Sequence, residues 1–205
     1  MTRLTISAAL VTLFFLSALG VRPLLHRLRT GRWGFNGLSG RVGSLGWWGG
    51  ATFVLSMVLT PFALAWPAFE SPAAPLAIAL AVAGLLFTLL AQSGMGASWR
   101  IGVDAREQTS LVTTGVFAFV RNPVFSGMLL FASGLTLLWP NLLSLGAAIA
   151  LFVAVELQVR FVEEPYLRAL HGDSWSTWAA KVGRFAPLLG RVPQQGETGG
   201  KEPHH

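Results

Sequence analysis

The stretch GVFAFVRNPVFSGMLL, Gly115–Leu130, places an arginine, an asparagine and a proline directly before a long apolar run. Proline suits the first turn of a helix, because the amide hydrogen that it lacks would be unpaired there anyway. It also disfavours helical geometry in the residue before it. The stretch therefore predicts that an apolar helix begins at Pro123, with Arg121 and Asn122 at its entrance.

The apolar run behind that proline is too long to form one membrane crossing. It carries no charged side chain as far as Val155. As one helix it would be roughly 51 Å long at about 1.5 Å per residue, whereas a bilayer core is about 30 Å thick. The motif LWPN, Leu138–Asn141, is the best place for a break, because its proline disfavours helix just before it. We therefore predict a tight helical hairpin with arms at 123–138 and about 141–159.

Composition also indicates a membrane protein. Of the 205 residues, 53% are hydrophobic and 12% charged, whereas soluble domains have about 25% charged residues. Three further uncharged runs, 4–21, 42–69 and 71–99, each suffice for one crossing. The first could alternatively be a signal peptide, but a poor cleavage site follows it. We predict an all-α integral membrane protein with five transmembrane helices, the last two forming the hairpin, and a cytoplasmic C-terminal helical region.

The positions of the Lys and Arg residues predict the orientation of a chain whose net charge is +6. The basic residues interrupt the apolar runs rather than forming one patch, which argues against nucleic acid as a partner. With five crossings, fourteen of the 15 Lys and Arg residues fall on one side and only Arg3 on the other. Lys and Arg favour cytoplasmic loops, so we predict an outside N-terminus and a cytoplasmic C-terminus, in a bacterial inner or plasma membrane. His26, in the first basic loop, is predicted at the lipid-facing surface.

Three regions follow from this division. Residues 1–69 form an N-terminal two-helix membrane region. Residues 70–191 form a core with a Gly-, Ser- and Thr-rich loop, the hairpin and C-terminal helices. Residues 192–205 are rich in Gly and Pro and are predicted to be a disordered tail.

Four charged side chains recur on one face of the predicted final helix. Glu156, Arg160, Glu163 and Glu164 are spaced at i, i+4, i+7 and i+8. The simplest interpretation is two surface salt bridges, from Arg160 to Glu156 and to Glu164. Alternatively, the four form a polar pocket at the cytoplasmic end of the bundle, because ionisable groups at membrane depth are costly and usually functional.

Arg121 is predicted to lie at the same level, because a hairpin returns the chain to the side of the membrane on which it started. We expect it to meet the Arg160 and Glu164 cluster. The unpaired amide groups at the start of the next helix would favour an anion at the same place. The alternative is that Arg121 extends toward lipid phosphates.

Several kinds of site are excluded by the residues that the chain contains. There is no cysteine, so disulfides and thiolate metal sites are ruled out. The isolated His26 and His171 make no metal set, and no metal site is predicted. The chain has no dinucleotide-binding motif, phosphate-binding loop or nucleophile elbow. Any cofactor must therefore be held by the membrane helices and their cytoplasmic loops.

Three segments carry a family resemblance through their order and spacing. They are GASWRIGV (96–103), LVTTGVFAFVRNPVFSG (111–127) and RFVEEPYLRALHGDSWSTWAAKVGRFAP (160–187). Together they resemble the isoprenylcysteine carboxyl methyltransferase family, within a wider group that includes phospholipid methyltransferases. The resemblance covers nearly half of the chain and makes 70–191 a predicted methyltransferase core.

The resemblance implies S-adenosylmethionine as cofactor, held between the hairpin and the C-terminal helices. Arg160 and Glu164 match the positions that face the substrate and the reacting methyl group, and are the predicted catalytic residues. The predicted cofactor-binding residues are Gly102, Thr109, Ser110, Leu111, Val112, Phe117, Arg121, Asn122, Pro123, Val124, Phe125 and Glu163.

The chain departs from the family pattern at three places. Asn122 replaces a histidine, Phe117 and Phe125 replace tyrosines, and Trp175 and Trp178 replace two later tyrosines. Asparagine can still donate and accept hydrogen bonds but cannot titrate. Phenylalanine keeps a ring that can stack on adenine. Cofactor binding therefore tolerates these changes better than acid–base catalysis at Asn122 would.

The expected activity is methyl transfer to a lipophilic small molecule, a carboxylate or thiol, that enters from the lipid bilayer. A carboxylate or thiolate nucleophile needs no general base, and Arg160 suits a two-pronged grip on a carboxylate. An amine would instead need Glu163 or Glu164 as base. The alternatives are a phospholipid N-methyltransferase, a non-catalytic membrane scaffold with a degraded site, and an NADPH-dependent sterol-type reductase. Nothing in the sequence predicts the oligomeric state.

Overall fold

The computed structural model describes residues 2–34, 37, 40–99 and 110–193. Seven α-helices account for most of these residues, and within the described ranges no β-strand forms beyond isolated bridges. The predicted all-helical class is therefore confirmed. In chain order the helices are α1 (Arg3–Phe14), α2 (Arg22–Thr30), α3 (Leu45–Leu64), α4 (Ala74–Gly94), α5 (Pro123–Leu138), α6 (Leu142–Gln158) and α7 (Glu164–Lys181).

Four helical stretches are long and apolar enough to cross a membrane: Arg3–Thr30, Leu45–Leu64, Ala74–Gly94 and Leu142–Lys181. The fifth apolar helix, α5, is shorter. The chain is thus an all-α integral membrane protein. The count of five crossings and the orientation stay predictions.

The first helix is longer than predicted. A π-helical segment, Phe15–Val21, joins α1 to α2 without a break, and the helix ends at Gly31, whose φ is 76°. Arg22, predicted in a loop, therefore lies on a helix, as do the other basic residues of α2. The prediction of a loop was wrong because Pro23 falls in the first turn of α2, where a missing amide hydrogen does not break the helix.

The hairpin forms where the sequence predicts it. Helix α5 begins at Pro123 and ends at Leu138, and α6 begins at Leu142. Asn141 caps α6: its side chain accepts from the Ser144 amide at 2.8 Å, and the Ser144 hydroxyl accepts from the Asn141 amide at 3.0 Å. This reciprocal cap satisfies two helix-start donors and fixes the turn between the arms.

Small residues set the distance between the paired helices. Helix α4 packs along α5, and a side chain at Gly84, Gly127 or Gly134 would collide with the backbone of the opposite helix. Helix α3 packs along α6, where the Ser56 hydroxyl donates to the Ala147 carbonyl at 2.9 Å. Close backbone approach at small residues is typical of helix pairs in membranes. The two pairs form the frame that holds the site.

The chain after α7 returns to the entrance of the hairpin. Val120 and Gly183 form a parallel bridge, the Arg121 amide donates to the Gly183 carbonyl at 2.8 Å, and the Asn122 amide donates to the Arg184 carbonyl at 3.0 Å. The C-terminal segment is therefore bonded to the residues directly before α5.

Candidate functional site

A cavity of about 650 Å³ lies between the N-terminal helix, α3, α4 and the start of the hairpin. Binding pockets for small molecules have volumes of roughly 300–1,000 Å³. The wall includes the entrance of α5, with Arg121 and Asn122, and residues of α3, with Phe53 and Val54. One continuous space thus joins a polar region to an apolar one.

The segment with the strongest family resemblance forms the polar region. Every described residue that the sequence predicts for cofactor binding contributes to the cavity wall; these are Ser110, Leu111, Val112, Phe117, Arg121, Asn122, Pro123, Val124, Phe125 and Glu163. Gly102 and Thr109 lie outside the described residues. The structure brings these residues together, and their function there stays a prediction.

Arg121 bonds the surrounding elements together instead of extending toward lipid. It is buried and donates to the Glu164 carboxylate, with Nη2 at 2.9 Å from Oε1. It also donates to the carbonyls of Ala179, Val182 and Gly190 at 2.6–2.8 Å. Of the predicted meeting of Arg121 with the Arg160 and Glu164 cluster, the contact with Glu164 is confirmed.

Glu164 accepts hydrogen bonds from two guanidinium groups. Arg184 donates to both of its oxygens at 2.8 Å, and it shares Oε1 with Arg121. Burial lowers the pKa of Arg121 from its ordinary value, whereas the hydrogen bond to Glu164 raises the pKa of Arg184. Both arginines stay charged, so the carboxylate is held by two cations.

The Arg160 side of the predicted cluster is arranged differently. Arg160 pairs with Glu156 one turn earlier, and its side chain is 51% exposed. The predicted bridge from Arg160 to Glu164 is wrong, because Glu164 bonds to Arg121 and Arg184 instead. The reason is a π-helical segment, Val159–Glu163, whose wider turns rotate Glu164 away from the i+4 position. Neither Arg160 nor Glu164 is among the residues that line the cavity.

Asn122 sits at the junction of the cavity and the C-terminal segment. It is buried and lines the cavity, and its side-chain amide donates to the Arg184 carbonyl at 3.3 Å. On the next turn, the Ser126 hydroxyl donates to the Phe185 carbonyl at 2.7 Å. Trp178, at a position of tyrosine in the family pattern, also lines the cavity and donates to the Phe117 carbonyl at 3.1 Å.

The sequence predicts that the Gly-, Ser- and Thr-rich stretch from the end of α4 onward folds around a ligand, but it assigned no site residue to the end of α4 itself. Gln92, Met95, Ser98 and Trp99 line the cavity there. The resemblance included Trp99 in the motif GASWRIGV but assigned it no role. The helical spacing of residues did not identify Gln92 as a site residue either, because a single polar side chain in a long apolar helix forms no periodic pattern.

Trp99 is held by the N-terminal helix. Its ring lies 5.2 Å from the Arg22 guanidinium and 5.3 Å from the His26 ring. The prediction that His26 lies at the lipid-facing surface was wrong, because its ring is buried beside Trp99. Within the ranges that the structure describes, no group of acidic or histidine side chains could hold a metal ion.

Comparisons with known proteins relate the core of the chain to methyltransferases. Residues 73–174 match the family model described as phospholipid methyltransferase. Over 101 residues, the chain is 30% identical to a protein of Schizosaccharomyces pombe named protein-S-isoprenylcysteine O-methyltransferase. That alignment covers 49% of this chain and 42% of the relative, so less than half of the relative's length is matched. The family match includes the hairpin entrance and Glu164 but ends before Arg184.

Proposed function

We propose that this chain, which belongs to the isoprenylcysteine and phospholipid methyltransferase-like family, uses S-adenosylmethionine to methylate a lipophilic small molecule, a carboxylate or a thiol. The observation that carries the proposal is the single cavity, whose wall combines the segment 110–125 with apolar residues of α3. A cofactor and a lipid-soluble acceptor could thus meet in one space.

The cofactor fits the chemistry of the polar region. Adenine needs an apolar wall, which the Phe117 and Phe125 rings supply. The sugar hydroxyls need acceptors, such as the Glu163 carboxylate. Asn122 offers both a hydrogen-bond donor and an acceptor. When bound, S-adenosylmethionine supplies a methyl group on a positively charged sulfur. The residues named here would hold that group, and the surrounding apolar helices would exclude water from it.

The chain's own contribution to the reaction is mainly alignment. A carboxylate or thiolate already carries the charge with which it attacks, so holding the reactants in line supplies most of the acceleration. Arg160 lies outside the cavity wall and is paired with Glu156. We propose that it leaves Glu156 and turns toward the cavity to receive the anionic group of the acceptor. Glu164 would act as a positioning residue, because its contacts with Arg121 and Arg184 fix the wall that holds the cofactor.

A phospholipid N-methyltransferase is the second candidate, because the matching family model carries that description. An amine acceptor must lose a proton, which requires a base. Glu163 lines the cavity and could serve as that base; Glu164 does not line it. A strong fall in turnover for Glu163→Gln with an amine acceptor, but not with a carboxylate, would favour this candidate.

The proposal is tested by cofactor binding and by methyl transfer. The full chain, purified in detergent, should bind S-adenosylhomocysteine at micromolar concentration and NADPH much more weakly in calorimetry. Incubation with membrane lipids and methyl-labelled S-adenosylmethionine should then label a lipid-extractable product. Stronger binding of NADPH would indicate the reductase, and cofactor binding with no labelled product from any lipid extract would favour the scaffold.

A further inference from the structure

Gln92 has an unusual environment in the cavity wall. It is 2% exposed and lines the cavity beside Met95 and Trp99. Its Nε2 donates to the Ala18 carbonyl at 3.3 Å. Its Oε1 is buried and has no hydrogen-bond partner among the residues that the structure describes. Buried acceptors without a donor are rare in native proteins and indicate a missing partner.

The neighbouring helix explains why the amide has this orientation. In the π-helical segment the Arg22 amide donates to the Ser17 carbonyl, five residues earlier. The next carbonyl, Ala18, would need the amide hydrogen of residue 23, but that residue is proline and has none. Gln92 Nε2 supplies the missing donor. A reversed amide would place its oxygen against a carbonyl, so Oε1 must remain the atom without a donor.

The backbone of Gln92 is held as well. Arg22 Nη2 donates to the Gln92 carbonyl at 2.8 Å and to the Gly96 carbonyl at 3.2 Å. Its guanidinium also packs on Trp99. Cations are favourable beside the C-terminal carbonyls of a helix, so Arg22 secures the end of α4. The unpaired acceptor is therefore a fixed feature of the wall.

We propose that Gln92 Oε1 accepts a hydrogen bond from an O–H or N–H group of the methyl acceptor. The inference rests on the proposed function and deepens it: the acceptor is a lipophilic molecule with a donor close to the group that is methylated. The neighbours of Gln92 favour the acceptor over the cofactor as the source of the donor. Gln92 bonds to Ala18 of the N-terminal helix, and Phe15 and Leu19 of the same helix line the cavity. This helix lies outside the segments that the family resemblance assigns to the cofactor.

Two probes that differ in one donor test the proposal. N-acetyl-S-farnesylcysteine and its ester analogue 2-acetoxy-3-(farnesylthio)propionic acid share the isoprenyl chain, the carboxylate and the acetyl carbonyl, but only the first carries an N–H. Their affinities are measured by calorimetry on the full chain in detergent with S-adenosylhomocysteine present. The wild type should bind the first probe about tenfold more tightly, the effect expected when a buried acceptor is left unpaired. Gln92→Leu should bind both probes equally and keep its affinity for S-adenosylhomocysteine.

Ser93→Ala changes the adjacent exposed residue, whose hydroxyl bonds within its own helix, and should keep the tenfold preference. If Gln92→Leu does not fold, Gln92→Met offers a similar volume without the amide. The inference is overturned if Gln92→Leu prefers the first probe as strongly as the wild type does. It is also overturned if the substitution lowers only the affinity for S-adenosylhomocysteine. If the wild type shows the tenfold preference but does not bind S-adenosylhomocysteine, the inference stands and the proposed function is overturned.

Discussion

Arg121 and Glu164 are 43 residues apart in the sequence, yet their side chains meet at 2.9 Å. Arg121 comes directly before the hairpin and Glu164 directly after it, so the pair joins the two arms at their open end. Arg184 brings the C-terminal segment to the same carboxylate. With side chains only 2% and 11% exposed, this junction fixes the entrance of α5 that lines the cavity.

Glu164→Gln should therefore destabilise the protein strongly. Removing one member of a buried ion pair costs about 3–5 kcal/mol, because the remaining charge is left without its partner. Glu156→Gln is the matched control, since it removes the carboxylate from the more exposed pair with Arg160, and exposed pairs contribute about 1 kcal/mol or less. Thermal unfolding in detergent should show a large fall in Tm for Glu164→Gln only. Similar shifts for both variants would contradict the structural role of Glu164.

Gly127→Ala should weaken the packing of α5 against α4. A methyl group there would collide with the Thr88 backbone and side chain, and overpacking costs about 1–3 kcal/mol. Gly146→Ala is the control, because a methyl group at that position on α6 meets no atom within 4 Å. Denaturation in mixed micelles should separate the two variants. If Gly127→Ala were as stable as Gly146→Ala, the helices would have to be farther apart than described.

Asn122→Ala and Arg160→Ala should have opposite effects. Asn122 lines the cavity, so its loss should weaken S-adenosylhomocysteine binding by about tenfold, the effect of about one hydrogen bond. Arg160 lies outside the cavity wall, so its loss should spare cofactor affinity but reduce turnover by roughly one to two decades, if it binds a charged acceptor. Calorimetry and labelled-methyl transfer measure the two effects. If Arg160→Ala folds and keeps full activity, the Arg160–Glu156 pair of the wild type is only a surface salt bridge.

Five crossings and a cytoplasmic C-terminus make a topological prediction. A reporter that is active only in the cytoplasm should be active when fused after Arg191, and a periplasmic reporter at the same place should be inactive. The distribution of Lys and Arg is the physical basis. The opposite pattern would require a different number of crossings, most simply a short α5 that enters the membrane without crossing it.

Local rules predicted much of the fold because they act through neighbouring residues. Pro123 set the start of α5, and the LWPN motif set the hairpin turn, where Asn141 caps α6. The π-helical segments were not predictable in this way. The one before Glu164 rotated that residue from a bridge with Arg160 to bonds with Arg121 and Arg184.

The candidate site was predictable only in part, for a related reason. Segments with a family pattern were found at once, and their described residues line one cavity. Gln92 and Trp99 were missed because their significance arises from contacts with Ala18, Arg22 and His26, more than 70 positions earlier in the sequence. Such contacts depend on how helices pack, which periodicity does not encode.

The bridge between Val120 and Gly183 has a consequence for biosynthesis. The membrane helices leave the ribosome before the strand-like segment that completes the wall around Arg121. A nascent chain can therefore insert and pair its helices while its site is still unfinished. A chain that stops before Gly183 would keep the bonds of Arg121 to Glu164, Ala179 and Val182. It would lack the Arg184 contact with Glu164 and the two carbonyls that accept from the Arg121 and Asn122 amides, so the wall at the entrance of α5 would stay incomplete.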